Sequence, residues 1–262
     1  MQFVDGVFIK LSDSKKANEK MTRNQHYVPQ CLLKHFGWKA NKGIWKINIF
    51  DIARSTVRYN QAIEEVFSQN YFYDKDNSIE NFIERKIETP ASIIIDQIVR
   101  GNFEVVNEES LTLLRFISSL LSRTLSAREE ALSIFNSHIE SIVRQLLSLN
   151  GFNPEEASNG RFEIYDLSQI ASLITIQGSV NAIILRDLAF HFAVNTTELE
   201  FCISDHPVFT YNWLYRNLDH PAITGIHARG FQAFLPVSPT LTLCLYDPKV
   251  YKYGQKSLAL AH

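Results

Sequence analysis

Apolar positions recur along this chain in two rhythms, and the rhythm changes more than once. In "GIWKINIFDIA" Ile44, Lys46 and Asn48 alternate with Trp45, Ile47 and Ile49, which predicts a strand, and "STVRYN" at 55–60 is its candidate pairing partner. Ahead of it, "PQCLLKHF" predicts a two-turn helix with Pro29 in its first turn and Gly37 ending it. From Asn77 or Ser78, either a good N-cap, Ile79, Phe82, Ile83 and Ile87 fall at helical spacing, and Pro90 kinks or splits that helix after Thr89. Glu108 to Leu149 carries the helical rhythm on as two helices. "NGFNPEEASNG" at 150–160 is a loop and a candidate hinge, and 166–194, opened by Asp166 or Ser168, predicts the most apolar helix. Beyond it "LEFCIS", "FQAFLPV" and "TLTLCLY" return to strand character.

These elements predict an α+β fold, with a predominantly helical middle packed on a small antiparallel sheet formed by strands from both ends of the sequence. "WKINIF" is expected to join the C-terminal strands. Residues 1–20, polar over "SDSKKANEK", are read as a poorly ordered N-terminal extension ahead of a single globular domain over 21–262. The opening run lacks the sustained apolar core of a signal peptide. The longest apolar stretch, Ile170 to Val194, is broken by Gln177, Asn181, Arg186, Asp187 and His191, so no membrane span is expected.

With 262 residues, 45 % of them hydrophobic, the chain is long enough to bury a full core. A net charge of −2 supplies no broad basic field for non-specific nucleic-acid binding and leaves room only for a local nucleotide or nucleic-acid site. Cys31, Cys202 and Cys244 are odd in number, far apart and each set among apolar neighbours, which reads as buried thiols in a reducing compartment, the cytoplasm, rather than a disulfide frame or zinc site.

Several polar residues stand out against this frame. His26 and Tyr27 read either as a buried pair tying the segment down, or as a general base or metal ligand with Tyr27 donating to it. Glu80, Glu84 and Glu88 recur every four residues, a stripe drifting about 40° per step, which is either a solvated face or a set of carboxylates able to raise one another's pKa. Ser204 and Asp205 close the segment before Pro207, either as a turn or as strand-end functional groups. Arg115, Arg123 and Arg128 share a helical region, and Arg123 is the candidate for gripping an anion. "RDLAFH", Arg186 to His191, fits the Arg-x4-His pattern of HEPN ribonucleases, provided both residues lie on one helix. Signatures of P-loop, Rossmann, zincin, zinc-ribbon and α/β-hydrolase proteins do not occur.

"NQHYVPQCLLKHF", "NYFYD" with the "IE" helix after it, "SRT", "CISDHPVF" and "FLPVSP" occur in that order over Asn24 to Tyr246. In that order they resemble the uncharacterised bacterial family called domain of unknown function 4238. The resemblance raises His26, Tyr27, Pro29, Gln30, Glu80, Glu88, Arg123, Ser204, Asp205 and Pro207 above their neighbours; Cys31 and the first twenty residues depart from it. It implies no reaction. The residue types suit a hydrolase of phosphate esters or nucleic acid, with His26, Tyr27, Glu80, Arg123 and Asp205 catalytic and Gln30, Glu84, Glu88 and Ser204 holding substrate. In a metal-dependent version Asp205, Glu80 and His26 ligate a divalent ion. The alternatives are a non-catalytic nucleotide- or partner-binding protein of a defence or toxin–antitoxin system, and a HEPN-like ribonuclease using Arg186 and His191.

Overall fold

The computed structural model describes residues 2–4, 7–9, 23–149, 178 and 181–253. A short antiparallel hairpin, β1 (Gln2–Val4) and β2 (Val7–Ile9), comes first. β3 (Asn24–His26) leads through Pro29 into α1 (Gln30–Leu33), which tightens to a 3₁₀ turn over Lys34–Phe36 and stops at the extended Gly37, as the spacing predicted. β4 (Trp38–Lys39), β5 (Trp45–Asp51) and β6 (Thr56–Ala62) form an antiparallel meander, and β7 (Ser68–Asn70) returns to pair with β3.

The helical middle follows as α2 (Ser78–Ile83), α3 (Thr89–Val99), α4 (Val105–Ser122) and α5 (Leu125–Leu149). Between α2 and α3 the backbone opens into a π-helical turn over Glu84–Glu88. The cause is two residues on. Pro90, in the first turn of α3, has no N–H and its ring crowds the carbonyl four residues back, so the helix widens instead of continuing its ladder.

The last sheet has the order β8 (Ala189–Val194), β11 (Leu241–Tyr246), β10 (Gln232–Ser238), β9 (Phe209–Tyr211), every pair antiparallel. The main core joins this sheet to the helices, with Leu235, Val237 and Leu243 in one cluster with Ile94, Ile98, Leu113 and Phe116. Each such side chain contributes roughly 1.5–3 kcal/mol on burial, so this layer dominates the packing. Val28, Leu33, Ile47, Ile63 and Val66 form a second, smaller cluster, and Tyr27 and Ile203 touch both.

The fold is α+β with antiparallel sheets, but strands from the two ends of the sequence do not share one sheet. "WKINIF" pairs with β4 and β6, because the hairpin to "STVRYN" is local and the short loop costs little closure entropy. "LEFCIS" is not a strand. Leu199 is 84 % exposed, and although Phe201 and Ile203 turn partly inward the segment makes one backbone bond, Phe201 N–H to Pro239 at 2.8 Å, so it has no strand partner. The helix expected over 166–194 is corrected over 181–194: Asn181–Asp187 is 3₁₀ and Ala189–Val194 is β8. Phe190 and Phe192 alternate with His191 and Ala193 at period two, and pairing with β11 overrides the run's general greasiness. The expected hinge at 150–160 lies outside the described residues.

Candidate functional site

β3 exposes Asn24, half-buries His26 and turns Gln25 wholly inward, the alternation a strand dictates. The Gln25 amide fastens the next segment to it. Its Nε2 donates to the Asp74 carbonyl at 2.7 Å and to Asn77 Oδ1 at 3.3 Å, and its Oε1 accepts from the Tyr73 N–H at 2.7 Å. Asp74 in turn caps α2, its Oδ2 accepting from the Ile79 N–H at 2.6 Å and from Ser78 Oγ at 3.0 Å. Asn77 holds the N-cap position, as expected, but in left-handed backbone and with no side-chain cap bond, which Asp74 supplies instead. This chain of bonds aims α2, and with it Glu80, across from His26.

A cleft of about 350 Å³ lies between the two segments, lined by His26, Gln30, Cys31, Lys34, Glu80, Glu84 and Glu88 among others. Glu84 points to solvent, whereas Glu80 and Glu88 are half-buried. A π turn rotates each residue by less than the α step, so Glu88 falls back toward Glu80 instead of drifting further away. There it meets Arg123, at the C-terminus of α4, whose Nη1 donates to Glu88 Oε1 at 2.6 Å. Arg123 is 1 % exposed, and its Nε and Nη2 have no hydrogen-bond partner among the described residues.

The charges follow from that packing. Burial pushes the Glu80 carboxyl up to about 8, and Glu88 adds to the rise while Arg123 opposes it. Burial works against the Arg123 charge, but Tyr73 and Glu88 more than offset it, so its pKa is raised. The Cys31 thiol is pushed up to about 12 by burial and by Glu88. Burial lowers the pKa of His26, whose Nε2 lies 3.3 Å from the Ile63 carbonyl and whose Nδ1 lies 3.5 Å from Gln30 Nε2. The neutral tautomer with the proton on Nε2 satisfies both contacts. Buried Tyr73 donates its hydroxyl to the His26 carbonyl at 3.0 Å, closing the floor between β3 and Arg123.

His26, Gln30, Glu80, Glu84 and Glu88 thus line one cleft with Arg123 behind them. Tyr27, Ser204 and Asp205 are not among its lining residues. Burial raises the Tyr27 hydroxyl and the Asp205 charge adds to it, so these two lie together elsewhere. Ser204 is spent in its own turn, donating to the His206 carbonyl at 2.8 Å and accepting from the His206 N–H at 3.1 Å. Arg115 is exposed, and Arg128 lies over the Phe72 ring with Nη1 3.2 Å from the Phe72 carbonyl. Arg186 sits on the 3₁₀ segment and His191 on β8, so the helical Arg-x4-His arrangement is not formed.

Among the described residues no three His, Cys, Asp or Glu side chains are grouped to hold one metal ion, and no helix is long and apolar enough to cross a membrane. Gln25, Cys31 and Tyr73 are structural parts of this site that sequence reasoning passed over. Gln25 had a signal, as an amide at the inward position of a three-residue strand; Tyr73 and Cys31 looked like ordinary core.

The model of a family described as "Protein of unknown function (DUF4238)" matches residues 24–258. No curated protein and no solved structure matches the chain.

Proposed function

Because the chain belongs to the DUF4238 family, whose description assigns no activity, we propose from the cleft alone that the protein is a hydrolase acting on phosphate esters or nucleic acid. One observation carries the reading: two neighbouring carboxylates are driven apart, Glu80 toward the protonated form near neutral pH and Glu88 into an ion pair with Arg123. Carboxylates held in opposite states mark an acid and its electrostatic partner.

In this reading Glu80 gives its proton to the leaving-group oxygen, and neutral His26 accepts a proton from the attacking water at Nδ1. Gln30, beside that nitrogen, positions the water. Protonation of Glu80 and the pairing of Glu88 with Arg123 remove most of the negative charge that would repel a phosphate. The metal-dependent version needs Glu80 deprotonated and has His26 as its neighbour, with Asp205 outside the lining set. The proton-based version fits the raised Glu80 better. Free thiols at Cys31, Cys202 and Cys244 suit work in the cytoplasm, although Cys202 is exposed rather than buried as expected.

The test is turnover of phosphomonoesters, phosphodiesters and short RNA and DNA by the purified chain, with and without Mg²⁺ or Mn²⁺. Wild type is expected to show a rate that falls as pH rises through about 8, and Glu80→Gln to lower kcat/KM by roughly 10²–10⁴-fold, the usual weight of general acid–base catalysis. No turnover of any of these substrates by wild type sinks the reading. A second reading, a non-catalytic nucleotide-binding protein of a defence or toxin–antitoxin system, is favoured by one observation: Phe209, Tyr211 and Trp213 are exposed near the edge of the C-terminal sheet, with Arg216 over the Trp213 ring. Saturable nucleotide binding without turnover would select it.

A further inference from the structure

We infer that Ser126 and His206 form a second reactive centre, a serine nucleophile with its own general base, which takes acyl groups from carboxylic esters. This goes beyond the cleft hydrolase and does not depend on it, since neither residue is among those lining that cleft.

The two residues are 80 apart in sequence, and the fold brings Ser126 Oγ into hydrogen bonding with His206 Nε2. Ser126 is exposed and His206 half-buried, so the pair is open to substrate on one side and anchored on the other. The backbone that carries the imidazole is held by its own chain. The reciprocal bonds between Ser204 Oγ and the His206 backbone form a closed turn, and buried Pro207 follows it. A hydroxyl hydrogen-bonded to an imidazole nitrogen is the arrangement that lets serine act as a nucleophile.

The surroundings of the serine also suit the charge that develops. Ser126 is the second residue of α5, a 25-residue helix. The Ala127 N–H is spent on Thr124 Oγ1 at 3.2 Å, but the N–H groups of Leu125 and Ser126 have no intrahelical carbonyl to bond. They are donors beside the nucleophile, at the positive end of the helix, available to an oxyanion.

The chemistry balances with water as the only co-reactant. Ser126 Oγ bonds to the ester carbonyl carbon while its proton passes to His206 Nε2. The tetrahedral oxyanion collapses, the bond to the alkoxide breaks, and the alkoxide leaves as an alcohol with that proton. Water then adds to the acyl carbon while giving a proton to His206; the second tetrahedral oxyanion collapses, the acyl–Ser126 bond breaks, His206 returns that proton to Ser126 Oγ, and the acid is released.

The full chain is treated with a fluorophosphonate probe, and the modified residue is located by peptide mapping. Ser126 is expected to be labelled, with fluoride displaced, and His206→Gln, which keeps a polar group in place of the base, to slow labelling by about a hundredfold. No label on Ser126, or an equal rate in a folded His206→Gln protein, overturns the proposal. Wild type alone provides the second measurement: after brief incubation with p-nitrophenyl acetate, Ser126 is expected to carry an acetyl group, and its absence there refutes the dyad whatever the variant does. The phosphate esters that test the cleft have no acyl carbon, so either idea fails without the other.

Discussion

Arg123 Nη1 lies 2.6 Å from Glu88 Oε1, and the guanidinium that makes this bond is among the largest fully buried side chains of the described residues. The pair ties the end of α4 to the π turn before α3, and so sets the back wall of the cleft. Its chemistry is asymmetric: the pair is tolerable together, and each half alone is a charge in the wrong place.

Removing one half should therefore cost more than removing both. Arg123→Met is expected to destabilise by about 3 kcal/mol, the low end of the range for broken buried pairs, because Glu88 keeps some contact with water. The double variant Arg123→Met, Glu88→Leu should recover much of that loss. Guanidinium denaturation midpoints decide it, and additive effects of the two substitutions would contradict the pairing argument.

Glu80 should make stability fall with rising pH over an unusual window. Its folded pKa, about 8, lies above the unfolded value of roughly 4.3, so the folded state holds a proton there that the unfolded state has lost. The contribution is intact below about pH 4, declines by at most about 1.4 kcal/mol per pH unit, and is gone above about 8. Glu80→Gln should flatten that slope. Denaturation at pH 5, 7 and 9 checks it, and parallel curves for the two proteins would show that Glu80 titrates normally.

Gln25 should matter for stability as much as a core residue does. Its truncation to Ala leaves the Tyr73 N–H and the Asp74 carbonyl without their partner. At about 1–3 kcal/mol per unsatisfied buried group, a loss of roughly 2–3 kcal/mol is expected, or a drop of roughly 5–10 °C in Tm. A thermal melt reads it. A variant as stable as wild type would mean that the strand, and not the amide, holds the loop over the cleft floor.

The sequence by itself determined the local elements whose causes are local. Pro29 and Gly37 bound the first helix, Pro90 widens the second helical stretch one turn upstream, at Glu84–Glu88 rather than after Thr89, and the alternating run of β5 and the β-rich runs of β10 and β11 are strands because near neighbours in the chain decide them. It also placed His26, Gln30 and the three glutamates on short segments that do meet. Tertiary structure decided what no local rule reaches. Phe190 and Phe192 read as helix in isolation and become β8 only because β11 offers an edge; "LEFCIS" reads as strand and stays irregular because none does. The same holds for chemistry. That Glu88 finds Arg123 thirty-five residues on, and Ser126 finds His206 eighty residues on, follows from how the helices seat on the sheets, and the burial that seating imposes is what sets apart one carboxylate among three.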